Sequence, residues 1–175
     1  MNKINKGTKI VIICVIILTA GVALFAALNA DDISQKRELE LNAGFIIKYE
    51  NAEKCITMKD MLSLNPVEFT AIMDTSTTNP AEVTFTGVEL KKICESIGLD
   101  ISGAEVFEVR ALDGYSSALS IDEVMSEGNV YICINMNGEV LKTKSEGGFG
   151  PYMMVIISSE FSQRWCKFVE EISIR

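Results

Sequence analysis

From Ile10 to Leu28 the sequence carries no charged side chain. As a helix rising about 1.5 Å per residue, this run spans roughly 28 Å, close to the hydrocarbon thickness of a bilayer. Its apolar character covers every face and its flanks are asymmetric in charge, so a membrane segment describes it better than a buried helix of a soluble protein. Lys3, Lys6 and Lys9 precede the run, and Asp31 and Asp32 follow it. Positive charge stays on the cytoplasmic side, which orients the N-terminus inward and everything after the run outward. The expected organisation is a basic cytoplasmic tail over residues 1–9, a transmembrane segment over 10–28, a stalk over 29–44 and an extracytoplasmic domain over 45–175. Cleavage by a signal peptidase requires small residues at the last and third-last positions before the cut. Ending at Ala30, Ala26 or Ala27 places Leu28, Leu24 or Phe25 at the third-last position. The segment therefore reads as an uncleaved anchor at the cell membrane; a cleaved signal, and hence a secreted domain, is the alternative.

Charge is distributed as unevenly as hydropathy. Of 16 basic residues three precede the run, and all 24 acidic residues follow it, leaving 13 against 24 and a net charge of −11 beyond the membrane segment. Such a surface keeps a small domain soluble and repels nucleic acid. The chain contains no histidine, which removes imidazole metal ligands and the Ser-His-Asp and Cys-His catalytic arrangements. Cys55, Cys94, Cys133 and Cys166 are too far apart in sequence for a zinc or dithiol redox motif. Their even number permits two disulfides. Cys94, Cys133 and Cys166, however, sit among apolar neighbours, and free buried thiols are the simpler expectation.

Beyond the stalk the pattern alternates between strands and short helices. Strands are expected at Phe45–Tyr49, Val67–Met73, Val83–Thr86, Val106–Leu112, Val130–Asn135, Glu139–Lys142, Tyr152–Ile157 and Phe168–Ile174. Thr57 with Asp60, and Ser120 with Glu123, carry N-cap signals for short helices. Val88–Ile97 has an amphipathic stripe ended by Gly98, and Phe161–Cys166 reads as a helical turn. A polar loop is expected over Asp74–Pro80, a turn at Gly87, a hairpin at Asn137-Gly138 and a glycine-rich loop over 143–151. Strands outnumber helices without strict alternation, so the fold class is α+β, one domain with a mixed β-sheet.

Four phrases then occur in order: Phe85-Thr86-Gly87-Val88-Glu89-Leu90; Asp113-Gly114-Tyr115 followed by Ala118-Leu119-Ser120; Met136-Asn137-Gly138-Glu139-Val140-Leu141; and Gly147-Gly148-Phe149-Gly150-Pro151 followed by Arg164-Trp165-Cys166-Lys167-Phe168. Their order and spacing resemble the molybdopterin-binding domain of the sulfite-oxidase family of oxidoreductases, over roughly residues 66–175. The resemblance implies a pterin–molybdenum cofactor, a cysteine thiolate on the metal, a tyrosine beside the substrate-facing oxo group, and basic residues with a histidine on the pterin and its phosphate. Carried over residue by residue, it assigns the tyrosine to Tyr115 and the basic positions to Arg164 and Lys167. In plainer terms, Tyr115 is a turn tyrosine and the two cations a solvated surface pair. Gly147, Gly148 and Gly150 could bring backbone N–H groups close to a ligand, or simply form a turn.

The departures from the family concern its charged and metal-binding positions. Where the thiolate is expected stand Ile72, Met73 and Asp74; an expected arginine is Met153, and the histidine is Trp165. A soft redox metal without its thiolate has no protein bond to hold it. The sequence thus points to a non-catalytic binding or interaction module with no bound cofactor expected, molybdopterin being implied by the resemblance alone. Its partners would be the membrane, through the N-terminal helix, and an anionic small molecule or an envelope protein. The alternatives are an active molybdopterin-dependent oxidoreductase with an atypical ligand, such as Asp74 or one of the cysteines, and a structural component of an envelope complex.

Overall fold

A computed structural model describes residues 7–9, 12–25, 42–75 and 78–175. The chain divides into two units, Met1–Glu40 and Leu41–Arg175. In the first, Gly7–Phe25 is a helix long and apolar enough to cross a membrane, a description that a signal sequence also meets. Thr19 is accommodated in it because its hydroxyl donates to the Val15 and Ile16 carbonyls, both at 3.0 Å, so the apolar run carries no open hydroxyl donor there. The C-terminal end of the expected span, residues 26–28, and the stalk as far as residue 41 lie outside the described residues.

In the second unit, strand alternation builds two sheets. The first has the order β2 (Ala52–Thr57), β1 (Gly44–Tyr49), β10 (Val169–Ile174), β5 (Val106–Ala111), β6 (Ser116–Ser120). Its one parallel pair is β1 with β10, which makes it mixed. Phe45 and Ile47 of β1, Phe107 and Val109 of β5, and Ile172 and Ile174 of β10 recur at period two and are buried. The second sheet is antiparallel, in the order β3 (Val67–Thr75), β4 (Thr78–Glu89), β7 (Val130–Met136), β8 (Glu139–Val140), and β9 (Met153–Ile156) also pairs with β7. Val130 through Ile134 are all buried, so β7 is covered on both faces. The sheets share one core: Phe45 meets Tyr152 edge-on at 4.9 Å, and the Tyr152 hydroxyl donates to the Ala43 carbonyl at 2.7 Å. The class is α+β as expected, with two sheets where one was anticipated.

Local chemistry explains the elements that follow the sequence pattern. Helix α1 (Met58–Ser63) starts at a capping box in which Thr57 N–H donates to the Asp60 carboxylate at 2.9 Å and Asp60 N–H returns to the Thr57 hydroxyl at 3.3 Å. Ser120 and Glu123 repeat the arrangement at α3 (Ile121–Met125). Asn137 and Gly138 both have positive φ, 53° and 79°, as a two-residue hairpin turn of matching twist requires.

Two expectations are corrected. The polar stretch 74–80 is no long loop: β3 runs to Thr75, β4 starts at Thr78, and the two pair along most of their length. Strand β7 pairs with β4 only from Phe85 onward, so the outer part of β4 keeps one open edge, where Asn79, Pro80 and Glu82 are tolerated. Gly87 does not turn the chain but lies inside β4 at a register shift; a Cβ there would stand 2.6 Å from the Ile132 carbonyl oxygen. The following helix, α2, is accordingly Leu90–Ser96, with Val88 and Glu89 in the strand.

Candidate functional site

Four separate segments meet around one cavity of about 310 Å³. The end of β3 contributes Met73 and Thr75, and the β5–β6 turn contributes Asp113 and Tyr115. The start of β9 adds Met153, and the chain around the 3-10 turn Ser162–Arg164 adds Ser162, Gln163, Trp165 and Lys167. The turn before Tyr115 is fixed by Gly114 at φ 88° and by Asp113, whose carboxylate accepts the Tyr115 N–H at 3.2 Å. Across the cavity mouth the Tyr115 hydroxyl donates to the Gln163 carbonyl at 2.7 Å. The Ser162 hydroxyl donates to the Asp74 carbonyl, fastening the same turn to β3.

By area the cavity wall is mainly apolar, but six of its nine lining residues carry polar side chains: Thr75, Asp113, Tyr115, Ser162, Gln163 and Lys167. Trp165 is buried, its ring edge-on to Phe85 at 5.7 Å, and its indole N–H donates inward to the Ile156 carbonyl at 3.1 Å. The cavity therefore meets the indole ring and not its donor. Lys167 holds its ammonium 4.1 Å from the centre of the Phe149 ring. Asp113 faces Lys144 at 3.7 Å.

The residues singled out from sequence fall into two groups. Tyr115 and Lys167 line the cavity. Arg164, between Gln163 and Trp165, does not: its guanidinium donates to the two Glu123 oxygens at 2.7 and 3.2 Å and to the Ala118 carbonyl at 2.9 Å. That guanidinium holds the Glu123 carboxyl below its ordinary range. Gly147 and Gly148 are absent from the lining too, and their amides are not open to a ligand. Gly147 N–H donates to Lys144 at 3.1 Å, and Gly148 N–H to Thr143 at 3.0 Å, both within the loop. Gly147 is needed for its φ of 78°, and a Cβ on Gly148 would overlap the Lys142 carbonyl. Of the residues at which the sequence departs from the resemblance, Met73, Met153 and Trp165 line this cavity, whereas Ile72 and Asp74, which share the expected thiolate stretch with Met73, do not. Thr75, Ser162 and Gln163 carried no sequence signal as site residues.

The profile of the oxidoreductase molybdopterin-binding domain matches residues 46–175, and the chain belongs to that family. Among solved structures it is similar to the sulfane dehydrogenase SoxCD from Paracoccus pantotrophus, with a TM-score of 0.63 and 17% sequence identity. The similarity covers 77% of this chain but 38% of that one, so this chain spans well under half the length of that relative. No match is found among curated proteins.

The donors present do not fit a molybdenum held by a protein thiolate. No cysteine lines the cavity. Cys94, Cys133 and Cys166 are fully buried elsewhere, and burial pushes the Cys94 and Cys166 thiols up to about 12 and that of Cys133 well upward. Cys55 is exposed on β2, an edge strand of the first sheet that contributes no residue to the cavity. Among the described residues no three Asp, Glu, Cys or His side chains gather as a metal-ligand set. At the arginine and histidine positions the resemblance implies, the wall offers the Met153 thioether and the Trp165 indole, with the Met73 thioether in the stretch of the implied thiolate.

Proposed function

We propose that this chain is a membrane-anchored, extracytoplasmic member of its family whose domain binds a small anionic molecule without molybdenum redox chemistry. The observation that carries this reading is the convergence of Met73, Met153 and Trp165 on one cavity. Met153 and Trp165 stand where the resemblance implies an arginine and a histidine, and Met73 lies within the Ile72–Asp74 stretch where it implies the thiolate. Apolar side chains thus stand at these positions of the cavity, beside Tyr115 and Lys167. The helix Gly7–Phe25 supplies the anchor, and Lys3, Lys6 and Lys9 at its N-terminal side supply the orientation. The domain's own residues then bind and shield a ligand; among the described residues no group of His, Cys, Asp or Glu gathers to hold a metal.

Metal analysis of the full-length chain, purified from a host that makes the pterin cofactor, tests this reading. The expected result is no stoichiometric molybdenum. About one molybdenum per chain, lost on replacing a single cysteine, would make the protein an enzyme with that cysteine as its ligand.

A further inference from the structure

Resting on that reading, we infer that the cavity takes a small aromatic anion, its ring among Met73, Met153 and Trp165 and its anionic group at Lys167. The first argument is from volume: about 310 Å³ is at the small end of pockets that hold organic ligands, roughly 300–1,000 Å³. The second is from the wall. Thioethers are polarizable and flexible and pack well against aromatic rings, and the indole presents its ring because its N–H is engaged with Ile156.

The third argument is from charge. Lys167 is the cation of the lining, and among the described residues no carboxylate lies within ion-pairing distance of its ammonium. The ammonium is held over the Phe149 ring, which orients a lysine without neutralising it. The carboxylate of the lining, Asp113, has Lys144 beside it and the Tyr115 amide on it, so it does not compensate Lys167. The Gln163 side chain can add a neutral donor at the same mouth.

Trp165 is the single tryptophan of the chain, so an indole-labelled sample reports from the cavity through one resonance. The full-length chain, labelled with ¹⁵N-tryptophan and held in phosphatidylcholine nanodiscs, would be titrated with 2-naphthoate, 2-naphthamide and acetate. The expected result is a saturable shift of the indole resonance with naphthoate, binding at least about fivefold weaker for the neutral amide, and no shift with acetate. Lys167→Met should remove the advantage of naphthoate over naphthamide. Three results would overturn the inference: no saturable shift with naphthoate up to about 10 mM, equal binding of the amide in the wild-type chain, or an equal response to acetate. The wild-type comparison stands even if the variant does not fold. Molybdenum analysis of the same sample separates the two readings. Stoichiometric metal overturns the binding-module reading, whereas a metal-free chain that ignores naphthoate overturns the ligand class alone.

Discussion

Arg164 shows how a residue's charge can be claimed by the fold. Its guanidinium joins the turn over the cavity to the capping carboxylate of α3 and to the Ala118 carbonyl. Arg164→Ala should cost about 0.5–1 kcal/mol in chemical denaturation, since the pair is partly exposed. The pH dependence follows from the lowered Glu123 value. Its contribution is complete above the ordinary glutamate pKa, about 4.3, and is lost as pH falls through the lowered folded value. Removing Arg164 should therefore flatten the acid limb of the stability curve, readable as denaturation midpoints between pH about 3 and 6. The thiols make a second test at this scale. A water-soluble maleimide should modify Cys55 in the native protein, and Cys94, Cys133 and Cys166 only after denaturation, as mapped by mass spectrometry. Protection of Cys55, or native labelling of the other three, would contradict the burial described.

At the level of elements, Gly87 is the most exacting position in the second sheet. Ile132 carbonyl oxygen and Cys133 Cα would lie 2.6 and 2.9 Å from an added Cβ, and both belong to backbone that the sheet holds in place. Gly87→Ala should destabilise the domain by about 1–3 kcal/mol, measured from the urea midpoint. The family phrase containing Gly87 was legible; the reason for its glycine was not, because the crowding comes from β7, far along the chain. The same distinction runs through the fold. Elements announced by local hydrogen bonding, such as the Thr57–Asp60 and Ser120–Glu123 boxes and the Asn137-Gly138 turn, could be read directly. Strand β2 could not, since its residues are mostly exposed at a sheet edge, and β6 pairs small serines with a single buried leucine. Of the residues that the resemblance assigned, Tyr115 and Lys167 line the cavity. The roles of Gly147 and Gly148 were misleading because sequence does not reveal which acceptors already hold their amides. Thr75 and Gln163 join the cavity through tertiary packing, for which a single sequence carries no mark.

For the molecule as a whole, the proposed topology has a direct test. Protease added to intact protoplasts should digest residues beyond the helix while leaving the basic N-terminal tail; digestion requiring lysis would reverse the orientation. The parallel pairing of β1 with β10 adds a constraint on timing. A chain leaving a ribosome or a translocation channel appears from its N-terminal side, so β1 is delivered early and meets β2 at once. Its other edge then stays open until β10 follows, after β3, β4, β7, β8 and β9 have all become free to pair among themselves. The antiparallel sheet can thus form while the mixed sheet is still a hairpin with a bare flank. Such a flank invites pairing with neighbouring chains. A sheet closed by strands from opposite ends of the domain makes the emergence of β10 the gate for stability, and it gives an emerging copy reason to be shielded until that moment.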